Sequence, residues 1–197
     1  LGRNNGSLGL LYIDGNDTDV ELAKLIIGDR GEGRLELSGG AQLETYTAEI
    51  GSNAGSFGSA YLSGTGAAEE TTWTCDSNLT IGRGRLDIDA PARLIIKSGN
   101  LTIDPQGRLA GNGDIETGEI VNYGSIEPGM NGSPLSLFGV YEQTEAGLLV
   151  TRLGQKVFSQ LKIQPEPGED DHGEANLSGG LIATLEPGFD PVIDASF

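Results

Sequence analysis

Ile27–Ala41 reads IGDRGEGRLELSGGA, and its two readings lead to different proteins. Gly28, Gly31 and Gly33 would suit a loop that cradles a phosphate; equally, they would suit a turn delivering the alternating run RLEL as one unit of a repeat. A dinucleotide loop needs a preceding strand, a following helix whose N-terminus meets the phosphate, and a distal acid. Here the glycines lead into a strand pattern, and no Gly-Lys-Ser/Thr phosphate loop occurs in the chain. The reading without nucleotide therefore leads, and the rest of the sequence has to supply the repeat.

It does. NLTIGRGRLDI begins at Asn78 and NLTIDPQGRLA at Asn100, an offset of 100 − 78 = 22, while their Gly-Arg-Leu elements fall at Gly84 and Gly107, an offset of 23. The extra residue belongs to the turn around Pro105. A third Gly-Arg-Leu occurs at Gly33 and a third Asn-Leu-Ser/Thr at Asn176. Ile-Gly recurs at Ile27, Ile50 and Ile81, with gaps of 50 − 27 = 23 and 81 − 50 = 31. The longer gap holds AYLSGTGAAEETTWTCDS, read as an extended loop or an added strand, with a long insert near 60–77.

Within each unit, apolar residues alternate with polar ones. Leu35 and Leu37, then Leu86 and Ile88, point to one side, with Arg34, Glu36, Arg85, Asp87 and Asp89 on the other. Short half-buried strands with Gly-containing turns at a period near 23 describe a solenoid coil, which buries its apolar side only by stacking on its neighbours. A β-sandwich of antiparallel meanders shares the short strands but does not explain the recurrence. The expected class is all-β, a parallel β-helix. Residues 1–134 form its coils, and 135–197 form its continuation or C-terminal capping strands, less regular in the C-terminal third. Asp19–Gly28, DVELAKLIIG, is the best helix candidate in the chain.

Twenty-nine acidic against 12 basic residues give a formal charge of −17, which repels phosphate backbones and anionic headgroups, so no nucleic-acid partner is expected. The charge is spread along the chain and reads as solvated surface. The lone Cys75 cannot form an internal disulfide and reads as a buried small hydrophobe. No apolar run is long enough to cross a membrane as a helix. Starting at Leu1 and stopping in mid-pattern at Phe197, the sequence reads as a segment of a longer chain.

The stretch Gly107–Met130, GRLAGNGDIETGEIVNYGSIEPGM, resembles the passenger β-helix of bacterial autotransporters and related large exported β-helix proteins. LFGVYEQTEAGLLVTRLG, SQLKI and GEANLSGGLIATLEPGFDP resemble the sequel found there, and IGSNAGSFGSAYLSGTGAAEETTW resembles the earlier repeats. The similarity spans most of the chain from about Ile27. It implies a right-handed parallel β-helix in an exported bacterial protein, secreted or at the cell surface, structural or adhesive or presenting another domain. The 197 residues include none of the membrane β-barrel that such proteins carry.

Each candidate site has a plain competitor. Asp14, Asn16, Asp17 and Asp19 in DGNDTD offer oxygen ligands of the kind Ca²⁺ prefers, without the Gly position and terminal Glu of an EF-hand loop; an acidic turn in an acidic protein is the competitor. Glu169, Asp170, Asp171 and His172 would hold a metal or form a solvated loop. Carboxylates on an outward strand face with a base nearby are what a polysaccharide-cleaving β-helix requires, and Asp87, Asp89, Arg85, Arg93, Lys97 and Asp104 allow it. Outward positions of a solenoid are polar in any case, and matching Asp87/Asp89 against Arg108/Ala110 of the next unit does not repeat the acids, so no catalytic residue is assigned. No Ser/His/Asp or Cys/His arrangement stands out. Trp73 and Tyr61, with Phe57 and Tyr46, would stack on sugars if exposed or fill the core if not. Asn78 and Asn100 lie in glycosylation sequons that the repeat explains as turn residues.

The expectation is a non-catalytic spacer and adhesive or display surface. Its partner would be an extracellular polysaccharide or protein, with self-association through uncovered strand edges. The alternative is a carbohydrate-active or carbohydrate-binding β-helix, such as a polysaccharide lyase, a hydrolase or a tailspike-like depolymerase.

Overall fold

The computed structural model describes residues 1–64, 70–129, 133–154, 158–165, 167–168 and 173–187. Its strands are β1 (Leu8–Asp14), β2 (Asp19–Ile27), β3 (Glu32–Ser38), β4 (Gln42–Ile50), β5 (Phe57–Ser63), β6 (Thr72–Cys75), β7 (Leu79–Ile81), β8 (Gly84–Asp89) and β9 (Arg93–Ile96). They continue with β10 (Asn100–Ile103), β11 (Arg108–Gly111), β12 (Asp114–Asn122), β13 (Ser125–Pro128), β14 (Leu135–Gln143), β15 (Leu148–Leu153), β16 (Leu161–Gln164), β17 (Glu174–Leu177) and β18 (Gly180–Leu185). No helix occurs among the described residues.

Two sheets hold these strands, and the named strands pair in parallel. The first runs β1, β3, β5, β8, β11, β13, β15, β18; the second collects the other ten. Each coil contributes one strand to the first sheet and then one long strand or two short ones to the second. The long strands turn a corner within themselves. In β4, Leu43, Thr45, Ala48 and Ile50 point inward, and the adjacent Tyr46 and Thr47 both point away, which shifts the alternation by one. In the next coil the same corner separates β6 from β7, both of which pair with β4.

Recurring residues stack directly. Ile27, Ile50 and Ile81 are in register, as are Leu79 with Leu101 and Leu86 with Leu109. These side chains are fully buried and form continuous apolar columns, each contributing roughly 1.5–3 kcal/mol of burial. The coil that carries Trp73 has Ala60 where its neighbours have Leu35 and Leu86, so side-chain volume stays level along the stack. At the entrance to the first sheet, Gly9, Gly33, Gly58 and Gly84 stack on one another. A Cβ on Gly58 would overlap the Ile27 carbonyl oxygen, and one on Gly84 the Gly58 carbonyl oxygen, so the coils close there only over glycine.

Toward the C-terminal end the isoleucine column becomes polar. Asn122 follows Ile103, and Gln143 follows Asn122. Buried polar groups are tolerable when bonded, and these are. Asn122 Nδ2 donates to the Tyr141 hydroxyl (3.2 Å), the Tyr141 hydroxyl donates to Gln143 Oε1 (3.0 Å), and Gln143 Nε2 donates to the Ser178 and Gly180 carbonyls.

Four expectations change. Asp19–Ile27 is strand β2, not helix. Its apolar residues Val20, Leu22, Leu25 and Ile27 alternate around a corner at Ala23 and Lys24, and β4 supplies a complete ladder for them. The insert is shorter than 60–77: Tyr61 lies in β5 and Thr72–Cys75 is back in register, so most of the added length falls between Ser63 and Thr72. Asn176 is not the counterpart of Asn100, because the Leu101 column continues through Ile120 and Tyr141 to Ala175. Trp73 is buried, with Nε1 donating to Thr45 Oγ1 (3.0 Å); its ring fills the core instead of facing a sugar. In the less regular C-terminal third, β15 and β16 are mostly half-buried and β17 and β18 largely exposed, but all four extend the two sheets.

Candidate functional site

The outer face of the first sheet carries a groove of about 700 Å³. Strand alternation builds it: Leu35, Leu86 and Leu109 turn into the core, so the residues flanking them turn out and stack into outward columns. One column runs Arg34, Ser59, Arg85, Arg108, Ser125. Beside it runs Glu36, Tyr61, Asp87, Ala110, Glu127. Ala110 is the low point of the second column, and Asp87 and Glu127 wall it on either side.

The two columns are cross-linked. Arg34 pairs with Glu36, Arg85 with Asp87, and Arg108 with Glu127 of the following coil. Nε of Arg108 is buried and has no hydrogen-bond partner among the described residues. The Tyr61 hydroxyl donates to Asp89 Oδ2 (2.9 Å). Burial first, and then this bond and the Asp89 charge, push the Tyr61 phenol above its usual range, so it stays a donor. Phe57 and Tyr61 from β5 line the groove and remain accessible, while Arg152 from β15 closes its far end.

The residues considered for catalysis do not converge. Arg85, Asp87 and Asp89 lie on the groove. Arg93 lies on the second sheet, where it pairs with Glu116 and Glu70, and Lys97 at its corner pairs with Asp76 (2.9 Å). Asp104 sits in the turn before β11, in a separate depression beside Arg83, where burial raises its carboxyl above the usual range. The register also corrects the matching of acids: Asp87 opposes Ala110 and Arg85 opposes Arg108.

Asp14, Asn16, Asp17 and Asp19 are all exposed in the turn between β1 and β2. Asp14 Oδ1 accepts the Ser38 hydroxyl (2.6 Å), and Thr18 Oγ1 donates to the Asp14 carbonyl (2.7 Å), so Asp14 and Thr18 are engaged within the fold. No three His, Cys, Asp or Glu side chains converge as metal ligands among the described residues. Glu169, Asp170, Asp171 and His172 lie outside the described residues. Cys75 is buried, with its thiol pushed up by burial. Asn78 and Asn100 stack at a turn, Asn78 Oδ1 accepting the Asn100 backbone N–H (2.9 Å). Tyr46 is exposed at the β4 corner, away from the groove.

Arg34, Ala110, Glu127 and Arg152 complete the site and were not assigned from sequence. The signal was the Gly-Arg-Leu element, whose arginine is the outward residue of each copy. Chemically, the groove offers fixed guanidinium donors, fixed carboxylate acceptors and two aromatic faces. No family model matches the chain, and no curated protein and no solved structure matches it.

Proposed function

We propose that this chain is a non-catalytic segment of an exported bacterial surface protein, a right-handed parallel β-helix that serves as a stiff spacer and presents a binding face. The carrying observation is the in-register parallel ladder running from β1 to β18, backed by stacked apolar columns from Ile13 to Tyr141. Backbone hydrogen bonds along the long axis share load between coils, and a side held flat over many coils suits display to an extracellular polysaccharide or protein. The resemblance of Gly107–Met130 to autotransporter passengers supports the setting.

The polysaccharide-cleaving reading is favoured by one observation, the acids Glu36, Asp87 and Glu127 recurring in one column. Asp87 and Glu127 stand two strand steps apart, roughly 9.6 Å along the stack, close to the separation at which inverting glycosidases hold acid and base. All three acids are engaged by arginines, however, an arrangement that favours anchoring over proton transfer.

A pulling experiment run beside a product assay tests the proposal. Expected are extension in coil-sized steps and no released products from neutral or acidic polysaccharides. Products that vanish in Asp87→Ala would sink the non-catalytic reading, and extension as a featureless compliant polymer would sink the spacer.

A further inference from the structure

We infer that the groove on the first sheet is a binding site for an uncharged saccharide chain lying along the solenoid axis. The inference rests on the reading of that sheet as a display face and names its ligand class.

Charge comes first. Four of the 12 basic residues, Arg34, Arg85, Arg108 and Arg152, gather on this face, together with four acids, Glu36, Asp87, Asp89 and Glu127. The lining itself holds the four arginines and three of these acids, with Glu36 paired to Arg34 at its edge, so the groove is close to neutral and the chain's excess of acids lies elsewhere. An acidic polymer would meet that field with three of the four guanidinium groups already neutralised by carboxylates. A basic peptide would meet Glu36, Asp87 and Glu127 already paired with arginines and Asp89 accepting from the Tyr61 hydroxyl. A vicinal diol, by contrast, both donates and accepts, and an arginine beside a carboxylate presents both partners in fixed positions.

Shape agrees. Sugar rings have apolar faces that stack on exposed aromatics, and Phe57 and Tyr61 provide two such faces at one end of the groove. Ala110 and Gly111 keep its floor low between Asp87 and Glu127. From Arg34 to Arg152 the face spans six strands, roughly 24 Å at ordinary strand spacing, long enough for several linked rings.

The probe is an array of neutral and uronic-acid oligosaccharides and acidic and basic peptides, applied to residues 1–197, with the strongest binder measured by calorimetry. We expect a neutral oligosaccharide whose Kd is unchanged between low and high salt. Phe57→Ala and Tyr61→Ala should each weaken it about tenfold, a loss of the size that an aromatic stacking contact gives. Ala110→Glu should block it. Circular dichroism and thermal melts establish that each variant stays folded, and Tyr46→Ala, away from the groove, should bind as the parent does. Selection of a uronic-acid oligosaccharide or a peptide, or no saccharide binding by the folded parent, would overturn the inference. The spacer reading would survive those outcomes, because pulling tests it independently.

Discussion

Asp87 of β8 stands in register with Ala110 of β11, so a methyl group interrupts the outward acidic column. The next position in the column is Glu127. An acid at the gap would make three like charges in consecutive strands, and directly opposed like charges are destabilising. Ala110→Glu is expected to lower stability by about 0.5–1 kcal/mol at low salt and to recover most of it at high salt. Ala110→Gln, equal in size but uncharged, should show no salt dependence. Urea titrations at two ionic strengths measure the difference.

The same register shows where sequence reading succeeds and where it stops. The Ile27, Ile50, Ile81 column was legible because in these three coils the corner at its end is built of Ile followed by Gly, although the coils differ in length. Leu86 over Leu109 was legible because the turn between them absorbed a single residue. Glu127 was not, because it follows Ala110 by 127 − 110 = 17 positions, well short of the period near 23. Turns in a solenoid take insertions and deletions without disturbing the ladder, so alignment by offset fails where a coil is short. Strand β2 was missed for another reason: its internal corner places Val20, Ala23 and Ile27 at helix-like spacing, and only the pairing with β4 decides between the two.

The glycine column predicts a contrast between two substitutions. Gly58 has an ordinary backbone, but its Cβ would overlap the Ile27 carbonyl oxygen and the Gly51 nitrogen. Gly55 has φ of +83° and open space around it. Gly55→Ala should therefore cost about 1–2 kcal/mol of local conformational strain. Gly58→Ala forces two coils apart and should cost more, upward of about 2 kcal/mol. Denaturant midpoints of the two variants should fall in that order; the reverse order would contradict the close approach.

The buried polar chain at the C-terminal end predicts a different cost. Tyr141→Phe removes one hydroxyl that accepts from Asn122 and donates to Gln143. Both partners stay buried without it, so the variant should lose about 1–3 kcal/mol although it becomes more apolar. Replacing Asn122 and Gln143 by Leu at the same time as Tyr141→Phe should not recover that loss, because these two side chains also bond the Gly124 N–H and the Ser178 and Gly180 carbonyls, which leucines would leave without partners. Thermal melts of the single and triple variants provide the comparison.

Cys75 reports on the integrity of the stack. It is fully buried in register between Thr45 and Ile96, and burial raises its thiol pKa, so the reactive thiolate is both scarce and shielded. Alkylation by iodoacetamide at pH 8 should be negligible in the native protein and rapid in denaturant. Along a urea titration its rate should follow the loss of circular dichroism. Rapid labelling before that transition would show that the Trp73 coil opens on its own.

Asp104 provides the pH dependence. Burial raises its carboxyl above the usual aspartate range in the folded state. The folded protein therefore holds this proton more tightly than the unfolded chain, so Asp104 favours folding below its unfolded pKa, and that contribution is lost as pH rises through the folded value. Asp104→Asn removes the penalty of ionising the carboxyl in its depression beside Arg83. The variant should melt slightly higher than the parent at pH 7, with the advantage fading as pH falls through the ordinary aspartate range, roughly pH 4. Because the group is only partly buried, the shift should be small, and parallel melts of parent and variant across pH 3 to 7 are needed to read it. An advantage that grows toward low pH would mean that the turn stabilises the carboxylate instead of penalising it.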